Sequence, residues 1–178
     1  PFLKKSPLSN RSGSLRRCLR RVAKAMDLVL WRHAEAQEWV EGCHDPSRAL
    51  TPKGEKQAAK MASWLDRHLP DGAKVLVSPA LRAEQTAMAL GRKYKIKPEL
   101  AVEASVAQLL EAAQWPNAKG AVLIVGHQPV LGQTVAHLLG IESQDWTVRK
   151  GAVWWLRYRE RDALPKTFLV TVQSPEIL

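Results

Sequence analysis

Leu28-Val29-Leu30-Trp31-Arg32-His33-Ala34-Glu35-Ala36 runs four apolar residues straight into a guanidinium and an imidazole. An apolar run this short, bounded by polar residues, predicts a buried strand over Asp27–Trp31 with Arg32 and His33 at its carboxyl end. Open α/β sheets bind their ligands just beyond the carboxyl ends of the strands. The pair therefore stands where an anion can be held and attacked. Alone it is a weak signal, because short patterns recur by chance. Two later stretches, around Arg82 and His127, repeat the arrangement.

Working outward, strand-like and helix-like segments alternate. Thr51-Pro52 offers an N-cap followed by proline at the first helical position. Ala58, Met61, Ala62, Leu65 and Leu69 then follow helical spacing up to Pro70. Lys74–Val77 reads as a second strand, and Ser78-Pro79 as the cap and start of a helix running to about Gly91. Val106, Leu109, Leu110 and Ala113 mark a helix stopped before Pro116, and Ala121–Val125 is a third strand. Pro129 opens a helix through Leu131, Val135, Leu138 and Leu139 that ends at Gly140. Ala152–Tyr158 and Thr167–Val172 close the chain as two strands, antiparallel across Arg159–Lys166. The alternation predicts an α/β fold, a layered sandwich with a mostly parallel central sheet.

Three of these strands end in chemistry. The first ends in Arg32-His33. The second ends in Ser78-Pro79, with Arg82 on the following turn, and the third in Gly126-His127-Gln128-Pro129. In a parallel sheet these ends share one rim. Two histidines and two arginines then converge beside two helix N-termini, which attract anions through free N–H groups. The planar fork of arginine matches phosphate oxygens. A neutral imidazole is a nucleophile near neutral pH, since its ordinary pKa is about 6.5. Attack on phosphorus would give a phosphohistidine, with cations stabilising the charge spread over the equatorial oxygens. This chemistry calls for no metal and no cofactor. Taken singly, each residue has a plainer reading. A lone histidine is usually structural, which is the assignment for His44, His68 and His137. A lone Arg82 is a helix-surface charge. The seven tryptophans, Trp154-Trp155 included, read as core and rim packing. The joint pattern carries the argument.

At this point the residues resemble the histidine phosphatase superfamily, whose fold is phosphoglycerate-mutase-like. Leu30-Trp31-Arg32-His33-Ala34-Glu35-Ala36 resembles its Arg-His-Gly signature, Ser78-Pro79-Ala80-Leu81-Arg82-Ala83-Glu84-Gln85-Thr86-Ala87 its second motif, and Gly126-His127-Gln128-Pro129 its third. The resemblance spans roughly Met26 to Val172. Within the superfamily the chain is similar to the small SixA-type phosphohistidine phosphatases, through its short length, Ser47-Arg48-Ala49-Leu50-Thr51-Pro52-Lys53-Gly54 and Lys150-Gly151-Ala152-Val153. The resemblance implies a three-layer α/β/α sandwich, His33 as nucleophile, and Arg32, Arg82 and His127 around the phosphate. Ala34 departs from the signature's glycine and demands a backbone without positive φ. The acidic motif that supplies a proton donor in larger members is missing. Glu103 is the nearest substitute by position and Glu35 by proximity to His33. A phosphomonoester leaves as an alkoxide and gains from a general acid, whereas phosphohistidine leaves as imidazole. The missing acid and the short loops, with Glu38–Ala49 the sizeable one near the first motif, favour a histidine-phosphorylated protein as partner. The alternatives are a small phosphorylated metabolite and a non-catalytic phospho-ligand module.

Composition bounds the rest. The chain has 178 residues and is 46% hydrophobic, enough for one domain with a real core. No apolar stretch is long enough to span a bilayer. Cys18 and Cys43 make neither a metal pattern nor a disulfide framework, which suits a reducing, cytoplasmic setting. The net charge of +10 invites a nucleic-acid reading. Its distribution argues against one. Residues 1–25 hold eight of the 27 basic residues and no acid, leaving 19 basic against 17 acidic residues in 26–178. The stretch 1–25 thus reads as a basic N-terminal extension, disordered at its start, and 26–178 as the histidine phosphatase domain. Leu15, Leu19, Val22 and Met26 could form one face of a short helix. The preferred reading of the extension is sequence preceding a natural start at Met26. A targeting peptide and a basic arm for an acidic partner or membrane are the others.

Overall fold

In the computed structural model, residues 24–42, 44–142, 146–161 and 164–178 are described. They build a six-stranded sheet in the order β3-β2-β4-β1-β5-β6. The strands are β1 (Lys24–Arg32), β2 (Lys74–Val77), β3 (Lys95–Ile96), β4 (Gly120–Gly126), β5 (Val153–Arg161) and β6 (Leu164–Gln173). β3, β2, β4 and β1 pair in parallel, while β5 lies antiparallel to β1 and β6 antiparallel to β5. The four helices are α1 (Pro52–His68), α2 (Leu81–Met88), α3 (Val106–Ala112) and α4 (Val130–Leu139).

Alternation along β1 explains the layering. Met26, Leu28 and Leu30 face a core closed by Leu109 of α3 and by Leu131 and Val135 of α4. Val29 and Trp31 face the opposite core, closed by Met61 and Leu65 of α1 and Ala83 and Ala87 of α2. Successive strand side chains point to opposite faces, so a strand covered on both sides reads as a continuous apolar run. Each fully buried aliphatic side chain contributes roughly 1.5–3 kcal/mol. The expected three-layer sandwich is the observed architecture. Among the described residues no helix is long and apolar enough to cross a membrane.

Local signals act as their chemistry dictates. The Thr51 hydroxyl accepts from the Gly54 N–H and Pro52 opens α1. Ser105 and Gln108 form a reciprocal capping box on α3. Gly140, with φ 67°, ends α4. Asp27 and Arg157, cross-strand partners on β1 and β5, form a two-pronged ion pair at 2.5 and 2.7 Å that ties the terminal hairpin to the centre.

Several expectations need correction. β1 begins at Lys24, paired to Glu160, so two residues assigned to the basic extension belong to the sheet. Met26 is a buried strand residue, not part of a helix face. Leu15, Leu19, Val22, Cys18 and Cys43 lie outside the described residues. α2 starts at Leu81 rather than Pro79 and ends at Met88. The terminal strands are longer than their apolar cores suggest, because cross-strand pairing continues through Arg159 and Lys166. Of the tryptophans, Trp39 is 58% exposed and packs in no core.

Candidate active site

β1 and β4 run in register, with Arg32 opposite Gly126. β2 and β4 pair up to Val77 and Val125. The next residues on the three strands are His33, His127 and Ser78, which are therefore neighbours at one rim. His33 and His127 border a cavity of about 440 Å³ that Arg32 and Arg82 also line.

The His33 ring is held neutral. Its Nδ1 lies 2.7 Å from the Ala34 carbonyl. A carbonyl only accepts, so Nδ1 carries the proton and Nε2 keeps its lone pair. Burial pushes the ring's pKa down to about 3, against the pull of the Ala34 carbonyl, with His127, Arg82 and Arg32 adding to the fall. The His127 ring lies 5.0 Å away, centroid to centroid. Its Nε2 is 2.7 Å from the Ser78 hydroxyl. With that hydroxyl donating, Nδ1 of His127 bears the proton. Burial, then Arg82, lowers the His127 pKa to about 4.

The two arginines are anchored differently. Arg32 donates from Nη1 to the Val148 carbonyl at 2.7 Å. Arg82 donates from Nη1 to the Asp45 carbonyl and from Nη2 to the Asp45 carboxylate, both at 2.8 Å. Arg48 holds the other carboxylate oxygen, with Nη2 at 2.6 Å. Burial raises the Asp45 pKa, but Arg48 and Arg82 outweigh it and keep the carboxyl below its ordinary range. Four buried side-chain polar atoms among the described residues have no hydrogen-bond partner: Arg32 Nε, Arg82 Nε, His127 Nδ1 and Trp155 Nε1. The first three belong to residues lining this cavity. Buried donors are rarely left unmatched, and unmatched N–H groups on three residues that line one cavity with His33 suit a group with several acceptor oxygens.

The four predicted site residues thus come together. Glu103 lines the cavity. Glu35 does not. It is bonded to Lys53 and Thr51, which hold its carboxyl below the ordinary range. Ser78 is no helix cap, since α2 starts after Ala80 and the Ser78 hydroxyl serves His127. Ala34 is accommodated without strain. Gln114 is the one non-glycine residue with positive φ among those described, and the Ala34 N–H donates to the Thr86 hydroxyl. His68 stacks on Trp64 and bonds its carbonyl, while His44 and His137 are exposed. Sequence reasoning gave no role to Asp45, although its spacing to Arg48 was open to notice. Lys150 and Gln128 were quoted only as motif letters. Gln128 accepts from the Gly132 N–H and donates to the Trp146 carbonyl, supporting the segment that presents Val148 to Arg32.

Comparison with known proteins agrees with this geometry. The family model described as Histidine phosphatase superfamily (branch 1) matches residues 28–105. The phosphohistidine phosphatase SixA homolog of Haemophilus influenzae is 33% identical over 131 residues, covering 65% of this chain and 78% of the relative. The phosphohistidine phosphatase SixA of Escherichia coli is 32% identical over 121 residues, covering 64% and 74%. Among solved structures, the protein histidine phosphatase SixA complexed with tungstate superposes with a TM-score of 0.67 at 28% identity, covering 85% of this chain and 99% of that one.

Proposed function

The chain belongs to the histidine phosphatase superfamily, and from that premise we propose that it is a phosphohistidine phosphatase acting on a histidine-phosphorylated protein. His33 Nε2 attacks phosphorus. The bond from phosphorus to the substrate imidazole breaks, and its electron pair returns to that nitrogen, which takes up a proton. A water then attacks the phosphorus on His33, releasing inorganic phosphate and restoring the free Nε2. Arg32, Arg82 and His127 hold the equatorial oxygens through both steps, where charge spreads in the transition state. Arg48 and Lys150 add positive charge at the same cavity. Glu103, which lines the cavity, is the carboxyl we assign to pass the proton to the leaving nitrogen. The proposed setting is the cytoplasm, a reading supported by the sequence spacing of Cys18 and Cys43, which suggests no disulfide framework.

The observation that carries the proposal is the set of three unpartnered buried donors, Arg32 Nε, Arg82 Nε and His127 Nδ1, beside a histidine held neutral. The test is acid-quench trapping of the phosphoenzyme with a histidine-phosphorylated phosphotransfer protein. Wild type yields an acid-labile phosphate on His33. His33→Ala yields none and loses at least about 10⁴-fold in turnover. Robust turnover of small phosphate esters with no activity on the phosphohistidine protein would overturn the substrate assignment.

A further inference from the structure

A second cavity lies away from the catalytic rim. It measures about 620 Å³ and runs beside β2 and β3 and past the end of α3. Its apolar wall is Leu76, Ala113 and Val122. Its polar wall is Lys74, Lys93, Lys95 and Lys97, joined by Arg92, and no carboxylate lines it. The register explains the wall. Lys95 pairs with Leu76, and paired residues on neighbouring strands share a face. Leu76 faces the α3 and α4 core, so Lys95 faces that side too, where α3 has already ended at Ala112.

The charge is not spent internally. Arg92 is occupied by Asp66 and by the carbonyls of Leu69 and Pro70. Lys74 reaches only the Gln114 amide, at 3.5 Å. Lys93, Lys95 and Lys97 make no ion pair among the described residues. Residues 26–178 carry a net charge of only +2, so this uncompensated cluster stands out against a nearly neutral body. Lysines on an edge strand also discourage strand pairing, but that role needs no groove and no apolar wall.

We infer that this groove docks an acidic, extended segment of the phosphoprotein substrate, an inference that rests on the phosphohistidine-protein reading. Lys93, Lys95 and Lys97 recur every second residue, a spacing of roughly 7 Å in extended backbone. An extended acidic segment repeats its carboxylates at the same spacing, whereas a small anion engages one or two cations. The groove is close enough to act in one encounter. Lys74 at its floor lies four residues from Ser78, roughly 13 Å along the strand. Chain immediately after Lys97 leads to Val102 and Glu103 at the catalytic cavity. A protein interface of ordinary size, roughly 800 Å² per partner, spans both.

The experiment compares two substrates, a histidine-phosphorylated phosphotransfer protein and the small compound phosphoramidate. The variant is Lys74→Glu/Lys93→Glu/Lys95→Glu, three exposed positions. KM for the phosphoprotein should rise at least tenfold with kcat retained, while phosphoramidate hydrolysis stays within twofold. Raising salt should weaken the wild-type reaction with the phosphoprotein and leave the variant's unchanged. An unchanged phosphoprotein KM overturns the docking site and leaves the catalytic reading standing. Failure of wild type on the phosphoprotein, with phosphoramidate still cleaved, overturns the substrate reading first. Binding of ATP or polyphosphate that the variant loses, with phosphoprotein kinetics unmoved, makes the groove a small-anion site and also overturns the inference. A triple glutamine variant, free of reversed charge, separates docking from misfolding. It should show the same KM shift, smaller in size.

Discussion

The two arginines of the rim, Arg82 buried and Arg32 half-buried, line the same cavity but are held by different parts of the molecule. Arg32, with His33 and His127, is fixed from the core. The three side chains meet the carbonyls of Val148 and Ala34 and the Ser78 hydroxyl, all from buried residues. Arg82 is fixed by Asp45, from an excursion between Gln37 and Ala49 that carries the exposed Trp39 and Val40. On the proposed mechanism the core side aims His33 and the loop side grips the phosphate, so the reacting ring is held by buried residues while the second arginine depends on a surface excursion.

The core side should pay most under acid. Burial holds His33 near pKa 3 and His127 near 4, while an unfolded chain titrates near 6.5. The folded pKa values are depressed, so below about pH 6.5 the unfolded state binds protons that the native state refuses. Stability is therefore intact above that pH, falls as pH drops toward 4, and levels off below about 3. Two histidines together remove about 4 kcal/mol between pH 7 and pH 5. Urea unfolding at both pH values, in phosphate-free buffer, measures this. A His33→Asn/His127→Asn double variant should lose most of the pH dependence. If it keeps the wild-type slope, the two rings are not the buried bases described above.

A smaller effect follows from Gly132, where α4 meets the segment that supports Arg32. A Cβ there would lie 1.6 Å from the Trp146 carbonyl oxygen and 2.8 Å from the Gln128 amide. Backbone has to move, so Gly132→Ala should cost about 2 kcal/mol, outweighing alanine's helix preference of about 1 kcal/mol. The displaced segment carries Val148, whose carbonyl anchors Arg32. Turnover should fall several-fold along with the denaturation midpoint. A stability loss with unchanged kcat would mean that Arg32 does not depend on this support.

The same contrast separates what was legible in the sequence from what was not. Residues 28–36, 78–87 and 126–129 announced themselves because strand ends must abut in a parallel sheet, and strand position is written in apolar runs. β3 was missed because its two residues, Lys95 and Ile96, lack any apolar run. It exists only because β2 offers an edge. The start of α2 was misplaced because a serine before proline looks like a cap, while His127, 49 residues away, claims the hydroxyl. Asp45 was invisible for a similar reason. Its partner Arg82 lies 37 residues downstream, and a carboxylate near an anion site runs against the charge logic by which the site was found.

That apparent contradiction gives the smallest and most informative test on the loop side. The Asp45 carboxylate bridges Arg48 and Arg82 and lowers the cavity's positive total by one. Asp45→Asn keeps the shape and the backbone carbonyl that accepts from Arg82 Nη1, but removes the charge. Two consequences oppose each other. A repulsion between unit charges about 6 Å apart, roughly 1 kcal/mol once solvent screening at the one-third-exposed carboxylate is counted, disappears, so inorganic phosphate or tungstate should bind several-fold tighter. The Arg82 fork also loses its ionic anchor, and a transition state demands alignment that a bound ground state does not. Turnover should therefore drop about tenfold, near 1.4 kcal/mol. Tighter oxyanion binding with slower turnover marks Asp45 as a positioning residue for Arg82. Tighter binding with unchanged kcat would make it only a counter-charge, and weaker binding with slower turnover would mean that the loop as a whole, rather than the carboxylate, sets the grip.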